Sequence, residues 1–151
     1  MRIVHSLAAS CVIMIVAVAA APMSLGVAQA PAALVIDIAG LRNDVGEVRG
    51  ALYDEPGRWL DTAHPAARCE ASIHGGRARC IFRNPPPGHV AFAGLHDEDG
   101  DGEMDRDLLG IPTEGYAFSN DVRPSLSAPS FESAIIPAGR PSLSVHARYG
   151  I

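Results

Sequence analysis

The sequence predicts an all-β domain in which about seven short antiparallel strands form a β-sandwich with one long loop. Apolar and polar residues alternate with a period of two in successive short segments. Clusters of glycine, proline and asparagine separate these segments, and helical periodicity is scarce. Each segment therefore has one apolar face, and two sheets that cover each other's apolar faces satisfy the pattern. We assign this single domain to residues 33–151.

The domain begins with a strand on which Leu34, Ile36 and Ile38 share one face. A turn at residues 43–46 follows, because asparagine, aspartate and glycine cluster there. Residues 47–53 are predicted as the returning strand.

Residues 68–74 and 77–82 form the clearest predicted hairpin, since apolar residues alternate with charged ones on both sides of a glycine turn. Pairing about this turn places Cys69 directly opposite Cys80, at a separation that suits a disulfide. The alternative is two buried free thiols in a register shifted by two residues. An oxidising compartment would favour the bond.

The second half of the domain contains the long loop. Residues 89–96 form a more apolar segment, which predicts a central strand. A long connection then runs from residue 97 to about residue 129. A connection of this length more often has a function or packs against the domain than lacks any role. Residues 131–136 and 142–149 are predicted as the closing strands.

The N-terminal segment is predicted to be a signal peptide over residues 1–28, with cleavage as late as residue 30 left open. Arg2 and His5 precede an uncharged stretch whose most apolar part is residues 11–21. An uncleaved membrane anchor is the competing interpretation. We expect the mature protein to be periplasmic or secreted, without a stable membrane span.

The charge of the chain argues against nucleic acid as a partner. The chain carries 12 basic and 17 acidic side chains, a net charge of −5. Removal of residues 1–28 takes away one arginine and no acid, so the net charge becomes −6. A negative protein repels phosphate backbones. Seven of the acids lie between residues 97 and 107, and this cluster is the main functional signal.

The acidic cluster has the spacing of a calcium loop. Asp97, Asp99, Asp101 and Asp105 occupy relative positions 1, 3, 5 and 9, and Gly102 occupies position 6. This pattern matches the first half of an EF-hand loop. A hard divalent cation prefers six to eight oxygen ligands, and alternating carboxylates on a curled loop converge on one point. The spacing therefore predicts a calcium site.

The calcium loop departs from a full EF-hand at its end. The backbone carbonyl of Glu103 is a predicted ligand, but Leu108 stands where an EF-hand has a bidentate glutamate. We therefore expect a shorter calcium loop, with Glu98, Asp107 or Glu114 as a further ligand. The alternative is a solvated acidic turn, because aspartate and glycine are common turn residues.

Several motifs extend across the domain. They are Gly40-Leu41-Arg42-Asn43, Pro87-Gly88 before His96-Asp97-Glu98, residues 109–120, and Pro129-Ser130-Phe131-Glu132. With these motifs the chain resembles a family of exported bacterial proteins known as domain of unknown function 2141, over residues 34–149. The resemblance implies a secreted immunoglobulin-like or transthyretin-like sandwich without an assigned activity. A cysteine pair is not expected of the family generally.

Other residues allow a ligand site or a structural role. A ligand-binding lip beside the acidic loop would use four residues, Glu114, Tyr116, Phe118 and Asn120. Aromatic residues in a long loop more often anchor it to the sandwich, and we favour anchoring.

Trp59 and His96 are also expected to be structural. Trp59, in a predicted loop over residues 54–65, would form a sugar platform with Tyr53, but a lone tryptophan is more usually core. His96 would join a transition-metal site, but a histidine at a strand end more commonly packs or forms hydrogen bonds.

We expect no enzyme, because the sequence has no nucleophile elbow, zinc-protease motif or phosphate loop. The expected function is a non-catalytic, calcium-stabilised binding or interaction module of the cell envelope, whose partner is an unknown envelope protein or a glycan. The alternatives are a carbohydrate or small-ligand binding protein and, third, a hydrolase that uses Glu98 and Glu114 as an acid pair.

Overall fold

The computed structural model describes residues 33–125 and 127–150, so the predicted signal peptide lies outside the described residues. The eight strands of this part are β1 Ala33–Ala39, β2 Glu47–Tyr53, β3 Ala67–Ser72, β4 Arg77–Arg83, β5 His89–Asp97, β6 Gly115–Phe118, β7 Ile135–Pro137 and β8 Ser142–His146. Two 3₁₀ turns, Pro56–Arg58 and Ser119–Asp121, and one helical turn, α1 Phe131–Ala134, complete the elements. The predicted all-β fold is confirmed.

The strands form two sheets that pack as a sandwich. One sheet has the order β4-β1-β8, and the other has the order β3-β2-β5 with β6 and β7 both paired to β5. β1 and β8 run parallel, whereas the other strand pairs are antiparallel. β5 is central, as predicted, because β2 lies on one side of it and β6 and β7 share the other.

The core between the sheets follows from the period-two pattern. Leu34, Ile36 and Ile38 of β1 are fully or almost fully buried, and they face Val48 and Phe92 of the other sheet within one apolar cluster. Because β1 is the middle strand of its sheet, both of its edges are hydrogen-bonded. The alternation therefore identified the inward face correctly.

The predicted hairpin of residues 68–74 and 77–82 is wrong. β3 pairs with β2, and β4 pairs with β1, so the two strands belong to opposite sheets. The turn at Gly75 and Gly76 crosses from one sheet to the other, and so does the turn between β1 and β2. The Asp44 carboxylate connects these two turns, because it accepts hydrogen bonds from the backbone N–H groups of Gly75 and Gly76 at 2.8 Å.

The cysteine pair links the two sheets. Cys69 in β3 and Cys80 in β4 lie at disulfide distance, with their Cα atoms 5.7 Å apart. The predicted pair is therefore present, but it joins opposite sheets rather than two strands of one hairpin. Gly50 of β2 lies against both sulfur atoms, where a Cβ atom would come within 2.7 Å of each.

Two segments differ from the predicted secondary structure. The long connection contains β6, which pairs with residues 93–96 of β5. Residues 131–134 form one helical turn instead of the start of a strand, and Ser130 caps it by accepting a hydrogen bond from the Ser133 N–H. Phe131 and Ala134 are three residues apart, so the helical turn buries both on one side.

The helical turn covers the outer face of the larger sheet. Trp59 packs there against the rings of Tyr53, Phe118 and Phe131, at centroid distances of 5.3 to 5.9 Å. Its indole N–H donates to the Pro129 carbonyl at 2.7 Å. This tryptophan therefore belongs to a second, smaller core, as predicted, and it holds the residues before α1 against the sheet.

Within the described residues, no helix has the length and apolar character needed to cross a membrane.

Candidate metal centre

The acidic loop begins at the end of β5 with a buried carboxylate. Asp97 has no exposed surface, and Arg49 of the neighbouring strand β2 lies with its Nε 2.6 Å from Asp97 Oδ2. The same Nε is 3.0 Å from Glu47 Oε1. A buried carboxylate requires such a counter-charge. The loop therefore has a positive partner supplied by the fold.

Asp97 also sets the curvature of the loop. Its two carboxylate oxygens accept hydrogen bonds from the N–H groups of Gly100 at 2.9 Å and Gly102 at 3.1 Å. Gly102 has a φ of +79°, which favours glycine, and a Cβ atom there would lie 2.7 Å from Nη1 of Arg49. The predicted need for glycine at the sixth loop position is thus explained by backbone conformation and by the arginine.

Glu114 holds the other side of the loop. It is 3% exposed, and its two oxygens accept the backbone N–H groups of Glu98 at 2.7 Å and of Asp105 at 3.2 Å. Glu114 immediately precedes β6, so pairing of β6 with β5 brings it beside the loop. This carboxylate acts as a clamp between the start and the end of the loop.

The carboxylates fall into two groups that could hold a metal ion. The inner group is Asp97, Asp99 and Glu114, and the outer group is Asp99, Asp101 and Asp105. Within each group, one oxygen of every side chain lies within 4.8 Å of the others. The inner group has two buried members whose oxygens already accept hydrogen bonds, whereas all three members of the outer group are exposed.

The outer group is shaped by local hydrogen bonds. Asp99 accepts from the Asp101 N–H at 3.1 Å, and Asp101 accepts from the Glu103 N–H at 2.7 Å. Each of these bonds uses one carboxylate oxygen and leaves the other available. The side chain of Glu103 belongs to neither group, and the ligand role of its backbone carbonyl stays a prediction. Leu108, at the position of the missing glutamate, is fully exposed.

The outer group has the chemistry of a weak site for a hard cation. Two carboxylates separated by about 5 Å repel each other by roughly 1 kcal/mol in water. A divalent cation with oxygen ligands would relieve the repulsion among three such groups. Three carboxylates leave several coordination positions for water, so the affinity is expected to be low.

Glu98 is held outside the cluster. Its carboxylate receives two hydrogen bonds from the Arg42 guanidinium, at 2.6 and 2.8 Å. The hydrogen bond from Arg42 lowers the pKa of Glu98. Since Glu98 is paired with an arginine and Glu114 with two backbone N–H groups, the arrangement gives no support to an acid pair for hydrolysis.

His96 is buried and hydrogen-bonded, as predicted for a structural residue. Its Nε2 lies 2.8 Å from the Val45 carbonyl, and its Nδ1 lies 2.7 Å from the Tyr149 hydroxyl. A carbonyl only accepts, so Nε2 carries the proton and Nδ1 accepts from the hydroxyl in the neutral ring. Both nitrogens are thus engaged, and neither is free to bind a metal.

The four predicted ligand-loop residues lie mainly inside the fold. Tyr116 and Phe118 are on strand β6 and are less than a tenth exposed, and Glu114 is the loop clamp. Asn120 has a φ of +60° and donates to the carbonyls of Ser133 and Ile135, which ties the end of β6 to α1. The anchoring interpretation therefore accounts for their positions.

Sequence reasoning missed the two arginines that hold the loop. Arg49 alternates with inward-facing residues of β2, so its sequence pattern predicts only an outward side chain. The register that places Glu47 opposite Asp97 brings Arg49 to the loop. Arg42 lies just after β1 and is 56 residues from its partner Glu98. No local motif signals either contact.

The fold and the loop define a class of protein: an all-β sandwich whose central strand ends in a clamped acidic loop. The chain belongs to the DUF2141 family of uncharacterised proteins conserved in bacteria, whose family model matches residues 36–146. The resemblance seen in the sequence is thus confirmed. Comparison with curated proteins and with solved structures finds no match.

Proposed function

We propose that this protein is an exported, non-catalytic β-sandwich module in which calcium binds the outer group Asp99, Asp101 and Asp105. It would act as a binding or interaction domain of the cell envelope. The observation that carries the calcium proposal is the convergence of these three exposed carboxylates within 4.8 Å. Their side-chain oxygens are the ligands that calcium prefers.

The surroundings of the outer group support the same proposal. Arg49 neutralises the buried Asp97, and Arg42 neutralises Glu98, so the fold supplies a cation to each of these two acids. Asp99 and Asp101 have no arginine partner among the residues that the structure describes. The outer group is therefore the part of the loop whose charge an external cation would balance. We expect a Kd of about 10⁻⁴ to 10⁻³ M, as in extracellular calcium modules.

Export is supported by the N-terminal sequence and by the cysteine pair. Residues 1–28 have the charged start and apolar centre of a signal peptide. A cysteine pair at disulfide distance suits an oxidising compartment outside the cytoplasm. We expect the protein to be recovered from the periplasm or medium with Gln29 as its first residue. N-terminal sequencing of the fractionated protein tests this, and an intact Met1 in the soluble cytoplasmic fraction would contradict it.

Calcium binding is tested by the melting temperature. With a Kd near 10⁻³ M, calcium at ~10 mM stabilises the fold by about 1.4 kcal/mol, a rise of roughly 5 °C. The double variant Asp99→Asn/Asp101→Asn keeps the size of both side chains and should lose the rise. Asp54→Asn, an exposed aspartate outside the loop, is the matched control and should retain it.

The competing interpretation is a solvated acidic turn without a specific ion. It predicts the same small change for wild type, the double variant and the control when the ionic strength is held constant. Magnesium at equal concentration separates calcium selectivity from general screening, because magnesium dehydrates reluctantly. If calcium leaves the melting temperature of the wild type unchanged up to ~10 mM, the calcium proposal fails.

A further inference from the structure

The acidic loop contains the two Asp-Gly bonds of the sequence, Asp99-Gly100 and Asp101-Gly102. Both aspartates are exposed. When glycine follows aspartate, its backbone nitrogen can approach the side-chain carboxyl group closely, because glycine has no side chain to obstruct the approach. These two bonds are therefore candidates for a reaction between the main chain and its own side chains.

This reaction rearranges the main chain without an oxidant, a reductant or a cofactor. The glycine nitrogen attacks the aspartate Cγ and forms an N–Cγ bond, while one carboxyl oxygen leaves as water with the N–H proton and the carboxyl proton. The product is a succinimide ring, which opens again when water adds to either of its carbonyls. Addition at the backbone carbonyl breaks the original C–N bond and leaves isoaspartate, in which the main chain runs through Cβ.

Both attacking nitrogens are held by the same buried carboxylate. The Gly100 N–H donates to Oδ1 of Asp97 at 2.9 Å, and the Gly102 N–H donates to Oδ2 at 3.1 Å. Asp97 has no exposed surface, and Nε of Arg49 lies 2.6 Å from its Oδ2, so the acceptor is itself fixed. A nitrogen bound to a fixed acceptor is not free to move onto the carboxyl carbon.

The carboxyl groups that would be attacked are restrained less firmly. Oδ1 of Asp99 accepts the Asp101 N–H at 3.1 Å, and Oδ1 of Asp101 accepts the Glu103 N–H at 2.7 Å. These two hydrogen bonds are exposed, so water competes for them, whereas the bonds to Asp97 are partly buried. The main restraint on both reactions is therefore the grip of Asp97 on the glycine nitrogens.

We propose that Asp99 and Asp101 are sites of spontaneous isomerisation to isoaspartate, and that Asp97 slows the reaction by binding both glycine nitrogens. Asp97 is thus a positioning residue for the loop backbone. Each event inserts a methylene group into the main chain and displaces a carboxylate, so the loop loses its hydrogen-bond pattern. For the calcium site proposed above, each event would remove a ligand, but the reaction itself does not depend on calcium.

The test separates release of the glycine nitrogens from general loosening of the loop. Asp97→Asn keeps one acceptor oxygen for two N–H groups, so it releases one glycine nitrogen. Glu114→Gln is the matched control, because Glu114 is also a buried carboxylate and accepts two loop N–H groups, those of Glu98 and Asp105. This control leaves both glycine nitrogens bound to Asp97.

An Asp-Gly bond without such protection, placed in the same chain, provides a reference. Glu55→Gly puts glycine after the exposed Asp54, and among the described residues the N–H of residue 55 has no hydrogen-bond acceptor. Circular dichroism melting shows which variants are folded. If Asp97→Asn does not fold, the comparison between the loop bonds and this reference decides the test.

All proteins are aged at neutral pH and physiological temperature with EDTA, which keeps the outer group free of calcium. Electron-transfer dissociation mass spectrometry of peptides then locates isoaspartate and measures its rate of formation. Wild type unfolded in urea should isomerise at Asp99 and Asp101, because no hydrogen bond protects either site. In the folded state both should isomerise more slowly than Asp54 does in the Glu55→Gly variant.

The two loop variants should differ from each other. In Asp97→Asn, isoaspartate should form roughly tenfold faster at one of the loop bonds or at both, the factor expected when one hydrogen bond to a charged acceptor is lost. In Glu114→Gln, the rates should match those of wild type. This difference is a readout that a purely structural role of Asp97 would not produce.

Four results overturn the proposal. An unfolded chain without isoaspartate at either loop bond would mean that neither is reactive. Equal rates at the loop bonds and at Asp54 would mean that the folded loop gives no protection. An unchanged or lower rate in Asp97→Asn would mean that the carboxylate does not slow the reaction. Equal acceleration in Glu114→Gln would mean that general loosening of the loop controls the rate.

Discussion

Reduction of the Cys69–Cys80 bond is expected to lower the melting temperature by about 10 °C. The bond joins β3 of one sheet to β4 of the other, across the interior of the sandwich. Breaking it frees the unfolded chain to sample more conformations and leaves the two sheets joined by core packing and by hydrogen bonds such as those between Tyr116 and Arg148. The perturbation is simple, because a reductant removes the cross-link without changing the sequence.

The expected drop in melting temperature follows from the number of residues that the disulfide encloses. The cysteines are 11 residues apart in sequence. A cross-link over a loop of this length lowers the entropy of the unfolded chain by an amount worth roughly 3 kcal/mol at 25 °C. For a domain of this size, each kcal/mol corresponds to about 4 °C in melting temperature.

The assay compares three samples by differential scanning calorimetry. They are the oxidised protein, the protein reduced by a phosphine, and the variant Cys69→Ala/Cys80→Ala. The reduced protein isolates the cross-link. The variant should melt lower still, because Cys80 is fully buried and its truncation leaves a cavity. A thiol assay on denatured protein reports the oxidation state of each sample.

Two results would refute this reasoning. Two free thiols in denatured, unreduced protein would mean that no bond forms. Equal melting temperatures for the oxidised and fully reduced protein would mean that the cross-link adds no stability.

Two further predictions concern single residues. Gly50→Ala should destabilise the domain by about 1–3 kcal/mol, since the new Cβ would lie 2.7 Å from both sulfur atoms and 2.8 Å from Phe92. Gly57→Ala, where no atom lies within 4 Å, is the control, and equal denaturant midpoints for both variants would contradict the clash. Glu98→Gln should cost at most about 1 kcal/mol at neutral pH, because Glu98 is ionised and paired with Arg42. The pKa of Glu98 is lowered by folding, so this contribution is complete above its usual value of about 4.5 and is lost as the pH falls through the folded value. Melting curves of wild type and variant should therefore converge on acidification, and a difference that persists unchanged at pH 2–3 would exclude this linkage.

Most of the strands were predictable from the sequence, but β6 and the partners of several strands were not. Alternation at Leu34, Ile36 and Ile38 identifies a strand with one buried face, and the structure has that strand. The same alternation in β3 and β4 is satisfied by one sheet or by two facing sheets, because both arrangements bury one side of each strand. The glycine turn and the cysteine pair also suit both arrangements. Only the full set of strand pairings decides between them.

The spacing of the acidic residues in the loop was predictable from the sequence, but the arginines that contact these residues were not. The glycine at position 6 and the alternating aspartates follow from the chemistry of a curled loop around a cation. Arg49 and Arg42 reach the loop from other strands, and their contacts depend on register across the sheet. A pattern read along the chain contains the carboxylates but has no information on the cations that the fold brings to them.

The parallel pair of β1 and β8 has a consequence for the timing of folding. In the described part of the chain, β1 has the last strand, β8, as one of its two neighbours, so the smaller sheet stays incomplete until β8 has been synthesised. Contacts between residues so distant in sequence raise the contact order and slow folding. A nascent chain that lacks β8 would leave one edge of β1 open. In the export that we propose, the smaller sheet would close only after β8 has crossed the membrane.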